Sequence, residues 1–241
     1  MNNEENGNNE NNIISASNDF EIIKPSFEIL HPSLLDLQDY PRLIERFGRT
    51  CYKSEGLIGK KSPDEFCKKI IRRGHESVLE HLSITVLFIG DRSFSHQLVR
   101  HRIAAYSQES QRYCSYGQHG KKGKIKTILP PNILKNSEAL AVWEYTMDHL
   151  VYAYDKLLSL GIPPEDARSL LPNATKTEIV TTCNIRTWRH IFDMRVNYHA
   201  QWEIRELMTN LLLIFYKHMP CLFEDKIKKF NLPDMYARED T

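Results

Sequence analysis

Apolar and polar positions along the 241-residue chain switch between a period of two and a period near 3.6. In SITVLFI (83–89), Ile84, Val86 and Phe88 fall on one face, which predicts a half-buried strand. PSFEILH, with Phe27 and Ile29, predicts another, and the β-branched TKTEIVTTC a third. Ser62-Pro63-Asp64-Glu65 has the residues of a helix start: a serine cap, a proline in the first turn and acids beside it. Phe66, Cys67, Ile70 and Ile71 then form a helical stripe, with Lys68, Lys69, Arg72 and Arg73 outside it and Gly74 at its end. Ser93 is the expected cap of a helix carrying Phe94 and Leu98, with Arg100-His101-Arg102 at its C-terminal end. Trp143, Met147, Leu150, Tyr154 and Leu157 predict a long helix closed by Gly161 and Pro163, and a short helix follows before Pro172. NIRTWRHIFDMR and HAQWEIRELMTNLLLIFYKHM predict two more. The order of strands and helices is that of an α+β domain with few strands, and no internal repeat is evident.

The ends have a different texture. MNNEENGNNENN is low-complexity and too polar to offset its ordering entropy, so residues 1–24 are expected to be a disordered tail. HGKKGKIK (119–126) is expected to be an exposed loop, residues 25–225 the folded domain, and residues 226–241 a polar tail. With 32 basic and 31 acidic residues the net charge is +1, which argues against a protein held to nucleic acid by bulk electrostatics. No apolar run approaches the ~20 residues of a membrane span, and no targeting segment is visible. Five scattered cysteines without a CxxC pair point to reduced thiols, in a cytoplasmic or other reducing intracellular compartment.

The chemistry is less direct. GHESVLEH (74–81) holds two histidines, but their spacing of six does not fit the two-histidine helical zinc motif, so no metal is expected. If helical, Arg100, His101 and Arg102 splay by ~100° each and cannot grip one phosphate together. Two readings stay open: a helix end complementing its own dipole, or contacts to separate partners. Gln108, Ser110 and Arg112 alternate, so an extended segment would point all three one way, a set suited to phosphate and a polar ring. On NIRTWRHIFDMR, Trp188, Ile191, Phe192 and Arg195 share one face and Arg186, His190 and Asp193 another. A guanidinium on the apolar face needs an acid, such as Glu203 or Glu206, or carbonyls, or a ligand. Asn197 is the expected cap of the following helix. No nucleophile elbow or P-loop is present, and Cys221 follows an apolar helix as a core residue would. Chemistry without a protein nucleophile or a metal points to a cofactor.

RHR-x7-S at Arg100–Ser110 resembles the signature of the flavin-dependent thymidylate synthases. The other blocks of that family follow in its order: HES-x2-EH from His75, Gln97, QxSxRY from Gln108, ARSLLP from Ala167, and NIR…H…R…HAQWEI from Asn184. The resemblance implies a small, mainly antiparallel sheet flanked by helices, assembled as a homotetramer whose sites are shared between subunits. It implies methylation of dUMP to dTMP with methylenetetrahydrofolate as carbon donor, FAD as hydride carrier and NADPH as reductant, releasing tetrahydrofolate.

By position, the resemblance assigns Ser77, Arg100, His101, Arg102, Gln108, Asn184, Arg186 and His190 to FAD. To dUMP it assigns Gln97, Leu98, Val99, Arg100, Gln108, Glu109, Ser110, Gln111, Arg112, Arg168 and Arg195. Within that set Arg112 and Arg168 are the phosphate candidates, and Arg195 faces the uracil edge as the catalytic charge. His75 and His199 are placed near flavin and folate. Three positions depart from the common pattern: Ser77 for threonine, Cys51 for a small serine, and Glu109 for an aliphatic residue. Two other classes are weighed against this: a nucleic-acid binder using Arg72, Arg73, the triplet and Lys121–Lys126, and an inactive flavin or nucleotide sensor. The near-zero net charge counts against the first, and the intact Arg112 and Arg195 against the second.

Overall fold

The structure, a computed structural model, describes residues 13–16 (backbone only), 20–51, 53–60, 62–117 and 119–233. In chain order these form β1 (Ile13–Ala16), β2 (Phe20–Ile23), β3 (Ser26–His31), α1 (Leu34–Leu37), α2 (Tyr40–Cys51), α3 (Pro63–Arg72), β4 (Ser83–Asp91) and α4 (Arg92–Leu98). Then come β5 (Ala105–Gln108), β6 (Ile125–Ile128), α5 (Pro131–Leu134), α6 (Ser137–Ser159), α7 (Pro164–Ala167), β7 (Lys176–Asn184), α8 (Ile185–Arg195), α9 (Trp202–His218) and α10 (Pro220–Lys229). The class is α+β, with a four-stranded antiparallel sheet in the order β3-β4-β7-β5. A second sheet, β1-β2-β6, was not expected. Its β2–β6 pair is parallel, with Phe20 opposite Ile125.

The contacts cluster into two compact units. One comprises residues up to Ser26, Ile89–His96 and Gln108–Ile179. Its core sets Phe20 and Ile22 of β2 and Ile125 of β6 among Met147, Val151 and Tyr154 of α6. The edge of Phe20 meets the ring of Trp143 at 5.7 Å. Two expectations fall here. The tail expected to reach residue 24 contains β1 and β2, because Phe20, Ile22 and Ile23 are apolar enough to be buried against α6. Residues 1–12 and 17–19 lie outside the described residues. The loop expected to reach Lys126 ends earlier, since Ile125 is fully buried and opens β6.

The other unit comprises Phe27–Phe88, Gln97–Ser107 and the chain from Val180 onward. Ile84, Val86 and Phe88 are fully buried, as their alternation predicts. Phe88, Trp188, Phe192, Phe215 and Phe223 make one aromatic cluster, and the Trp188 indole donates to the Ile84 carbonyl at 3.2 Å. Ser62 caps α3 by accepting from the Asp64 amide, and Gly74 beyond its end takes φ +69°, a conformation glycine adopts without a Cβ penalty. The C-terminal tail expected from residue 226 is also displaced. α10 runs to Lys229 with Lys226 and Ile227 buried, and residues 234–241 lie outside the described residues. Cys221 is buried, as its apolar context suggests.

Two expected caps are replaced. α4 is capped by Asp91, whose carboxylate accepts from the Phe94 amide at 2.6 Å, rather than by Ser93. α9 is capped by Gln201, while Asn197 accepts from the His199 amide within the preceding turn.

Candidate active site

Asn184 ends β7 and caps α8, its side chain accepting from the Thr187 amide at 2.9 Å. This cap fixes the rotation of α8. Trp188, Ile191 and Phe192 face the core, while Arg186, His190 and Asp193 look out. The outward face forms one wall of a cleft of about 680 Å³; Glu76 and Glu80, and the segment Arg100–Ile103 that follows α4, form the rest.

The basic triplet is a turn and not the helical end that was expected: α4 stops at Leu98, and the His101 amide reaches back to the Leu98 carbonyl. Released from the 100° rotation of a helix, all three residues line the same cleft. His101 is buried, and Arg100 and Arg102 are exposed on either side of it.

Charges in the cleft are mostly paired. Arg186 binds Glu80, and Lys226 and Lys229 hold Asp193 at 2.6 and 2.8 Å, which keeps that carboxyl below its usual range against the opposing effect of burial. Arg189 is 3% exposed. Asp225 grips it at 2.8 and 2.9 Å, Glu76 lies at 3.3 Å, and the Leu222 carbonyl accepts from it as well. Arg100 and Arg102 carry no ion pair among the described residues.

Arg195 does not line the cleft itself but reaches it through His101. Its Nε donates to His101 Nε2 at 3.0 Å and its Nη2 to the Gln97 carbonyl at 3.1 Å. The expected acid partner is therefore not Glu203 or Glu206; the guanidinium rests on two neutral acceptors and keeps its charge uncompensated. Burial, with the Arg195 and His190 charges nearby, pushes the His101 imidazole down to about 4. It is neutral at ordinary pH, with its proton on Nδ1 when Nε2 accepts.

Other assigned residues lie elsewhere. Ser77 is exposed and does not line the cleft. Leu98 is fully buried, so only its carbonyl, which accepts from the Tyr106 hydroxyl, is available for polar contact; Val99 is partly exposed. His199 is exposed, its ring 3.7 Å from that of Tyr198. His75 lines a neighbouring groove.

The remaining assigned residues belong to the first unit. The extended segment ends at Gln108, whose amide donates to Thr177 at 3.1 Å. Ser110, Gln111 and Arg112 form a turn instead of continuing the alternation, with the Arg112 and Tyr113 amides both pointing back to Ser110. Arg112 and Arg168 nevertheless meet at one residue: Arg112 Nε donates to the Glu165 carboxylate at 3.2 Å, and Arg168 Nε to the Glu165 carbonyl at 3.0 Å. Glu109 is fully engaged within the protein, accepting from Tyr116, Lys176 and the Glu178 amide. That role explains a carboxylate at this position and leaves it poorly placed to bind an anion. Arg92, outside the assigned set, joins the same contacts. It donates to the same Thr177 hydroxyl as Gln108, and burial and the Arg168 charge act to lower its pKa. Only its place five residues before Gln97 hinted at it.

No group of three or more histidine, cysteine or acidic side chains among the described residues is arranged to hold a metal. No helix among them is long and apolar enough to cross a membrane.

The model of the thymidylate synthase complementing protein family, Thy1, matches residues 33–221. The flavin-dependent thymidylate synthase of Geobacter sulfurreducens is 40% identical over 184 residues, covering 73% of this chain and 78% of that protein. That of Pyrococcus furiosus is 36% identical over 179 residues, covering 74% and 72%. The crystal structure of the UMP/dUMP methylase PolB from Streptomyces cacaoi, bound with 5-Br dUMP, superposes with a TM-score of 0.72 at 22% identity, over 87% of this chain and 97% of that one. The family model over most of the chain and these identities place this chain in the flavin-dependent thymidylate synthase family.

Proposed function

We propose that the protein forms dTMP by reductive methylation of dUMP at C5, with the cleft of Arg100–Arg102 and α8 as the FAD site. The reading is carried by the uncompensated Arg195, which presents a fixed positive charge resting on two neutral acceptors beside a cleft with two further unpaired guanidinium groups. The cleft fits a flavin dinucleotide. Arg100 and Arg102 supply charge for its diphosphate, Asn184 and His190 supply polar edges, and Ile103 supplies an apolar contact. Reduced FAD, when bound, supplies the hydride that converts the transferred methylene into a methyl group. Methylenetetrahydrofolate supplies the carbon and leaves as tetrahydrofolate, and NADPH restores the flavin, so electrons balance over the cycle.

The chain's own contribution is electrostatic. Arg195 stabilises negative charge developing on the pyrimidine, work that a thiolate adduct would otherwise do. His101 and the Gln97 carbonyl hold Arg195 in place, so that this charge needs no reorganisation during reaction. Arg112 and Arg168, both tethered through Glu165, bind the dUMP phosphate, with Gln108, Ser110 and Gln111 beside them. The protein works as a homotetramer, and His75, Ser77 and His199 act on flavin and folate from positions completed by neighbouring subunits. An FAD titration followed by visible absorbance tests the cleft. Arg100→Ala/Arg102→Ala should weaken FAD binding by more than tenfold; unchanged binding would move the site elsewhere.

A further inference from the structure

A second cavity of about 800 Å³, larger than the cleft, lies along α3 and the segment 53–60 of the same unit. Its lining is strongly cationic. Arg49 and Lys68 are neutralised, the first by Glu45 at 2.8 Å and the second by Glu224 at 2.6 Å. Lys60, Lys69, Arg72 and Arg73 carry no ion pair among the described residues, and a single carboxylate, Glu65, faces them. The chain as a whole has a net charge of +1, so this is a local concentration and not general basicity. Four like charges around one groove repel one another, and an anionic ligand relieves that repulsion.

Position decides which anion. His75 lines this groove, and the next residue, Glu76, lines the candidate FAD cleft. Consecutive residues thus line the two cavities, their Cα atoms about 3.8 Å apart. A ligand with its reactive end at the flavin and its other end in the groove must carry repeated negative charge along an extended chain. The groove offers solvent-facing ammonium and guanidinium groups over the last turns of α3. Such a surface suits a flexible row of carboxylates better than a compact phosphate.

We propose that this groove binds the γ-linked polyglutamate tail of the folate co-substrate. The proposal rests on the functional reading above, which makes methylenetetrahydrofolate the carbon donor. Exposed ion pairs are individually weak, so several together are expected to tighten binding by about tenfold.

Calorimetry on the full-length, flavin-loaded protein with mono- and pentaglutamyl methylenetetrahydrofolate tests this without requiring turnover. The pentaglutamate should bind about tenfold more tightly, and the advantage should shrink as salt rises. Lys69→Glu/Arg73→Glu, and independently Lys60→Glu, should reduce that advantage while leaving monoglutamate affinity, kcat and flavin absorbance unchanged. Equal affinity for the two folates, or an advantage that survives in both variants, overturns the proposal. A raised KM for NADPH or a loss of flavin in the variants, with the tail advantage intact, also overturns it and assigns the groove to a nucleotide phosphate. Absence of dTMP from either folate, with the tail preference still seen by calorimetry, would instead overturn the functional reading and leave the groove standing.

Discussion

Arg195 donates its Nε–H to Nε2 of His101 across 3.0 Å, so the bond exists only while the imidazole is neutral. Protonation would turn that acceptor into a donor and put a second cation against the guanidinium. The unfolded chain takes this proton near 6.5 and the folded chain near 4. Between these values the unfolded state binds more protons, so stability falls as pH drops from about 6.5 towards 4 and is insensitive to this group above that range. Chemical denaturation of wild-type protein and His101→Asn across that interval checks this: the wild type should lose more stability on acidification than the variant. Parallel curves would remove His101 as the cause.

Arg195→Ala should retain flavin and lose dTMP formation by about 10²–10³-fold, the usual cost of removing one preorganised electrostatic group. Arg195→Lys keeps a charge but not the planar fork that reaches both His101 and the Gln97 carbonyl, and should recover only part of the rate. Steady-state turnover together with the visible spectrum separates loss of chemistry from loss of cofactor.

Arg189 is a buried cation whose compensation comes mainly from Asp225. Desolvation opposes its charge, and the Asp225 and Glu76 contacts more than restore it. Asp225→Ala should cost about 2 kcal/mol, less than the ~3–5 kcal/mol of a fully buried pair because solvent already reaches Asp225. Adding Arg189→Met should return part of that loss, since the stranded charge goes with it. Thermal unfolding of the two single variants and the double variant measures the coupling.

Phe20→Ala should destabilise the protein by about 3–4 kcal/mol, because the ring is 2% exposed and packs on Trp143. A denaturation midpoint unmoved by this change would restore the view that order starts after residue 24.

Val99, Ile103, Met194 and Tyr198 are exposed apolar side chains close in sequence to the assigned site residues, and Ile103 lines the cleft itself. Coverage by a second copy, as the proposed tetramer requires, would account for them. Sedimentation should find a tetramer, and Ile103→Asp should shift it towards smaller species with loss of activity. A fully active monomer would contradict shared sites.

Much of the molecule was legible because its patterns are local. The alternation of β4 and β7, the Ser62 cap, and the opposed faces of α8 all follow from period and side-chain type. The failures were non-local. Phe20, Ile22 and Ile23 are three apolar residues in a polar stretch, and their strand is held by β6, about a hundred positions away, as well as by β1. The basic triplet read as a helix end because Asp91, rather than Ser93, starts α4, and the helix runs out before Arg100. Arg195 on an apolar face needs an acid, carbonyls or a ligand, and a carbonyl is one of its two partners; the other, a histidine, leaves no charge signature from which to predict it. Arg189 carries a charge that periodicity alone sends to solvent; its burial depends on Asp225, on a helix whose last residues lie in the expected tail.

The most direct measurement is dTMP formation by purified protein supplied with dUMP, methylenetetrahydrofolate, FAD and NADPH, compared with the same mixture lacking FAD and with Arg195→Ala. The wild type should give dTMP and tetrahydrofolate in equal amounts, and either control essentially none. No dTMP from the flavin-loaded wild type, or undiminished turnover without Arg195, would contradict it.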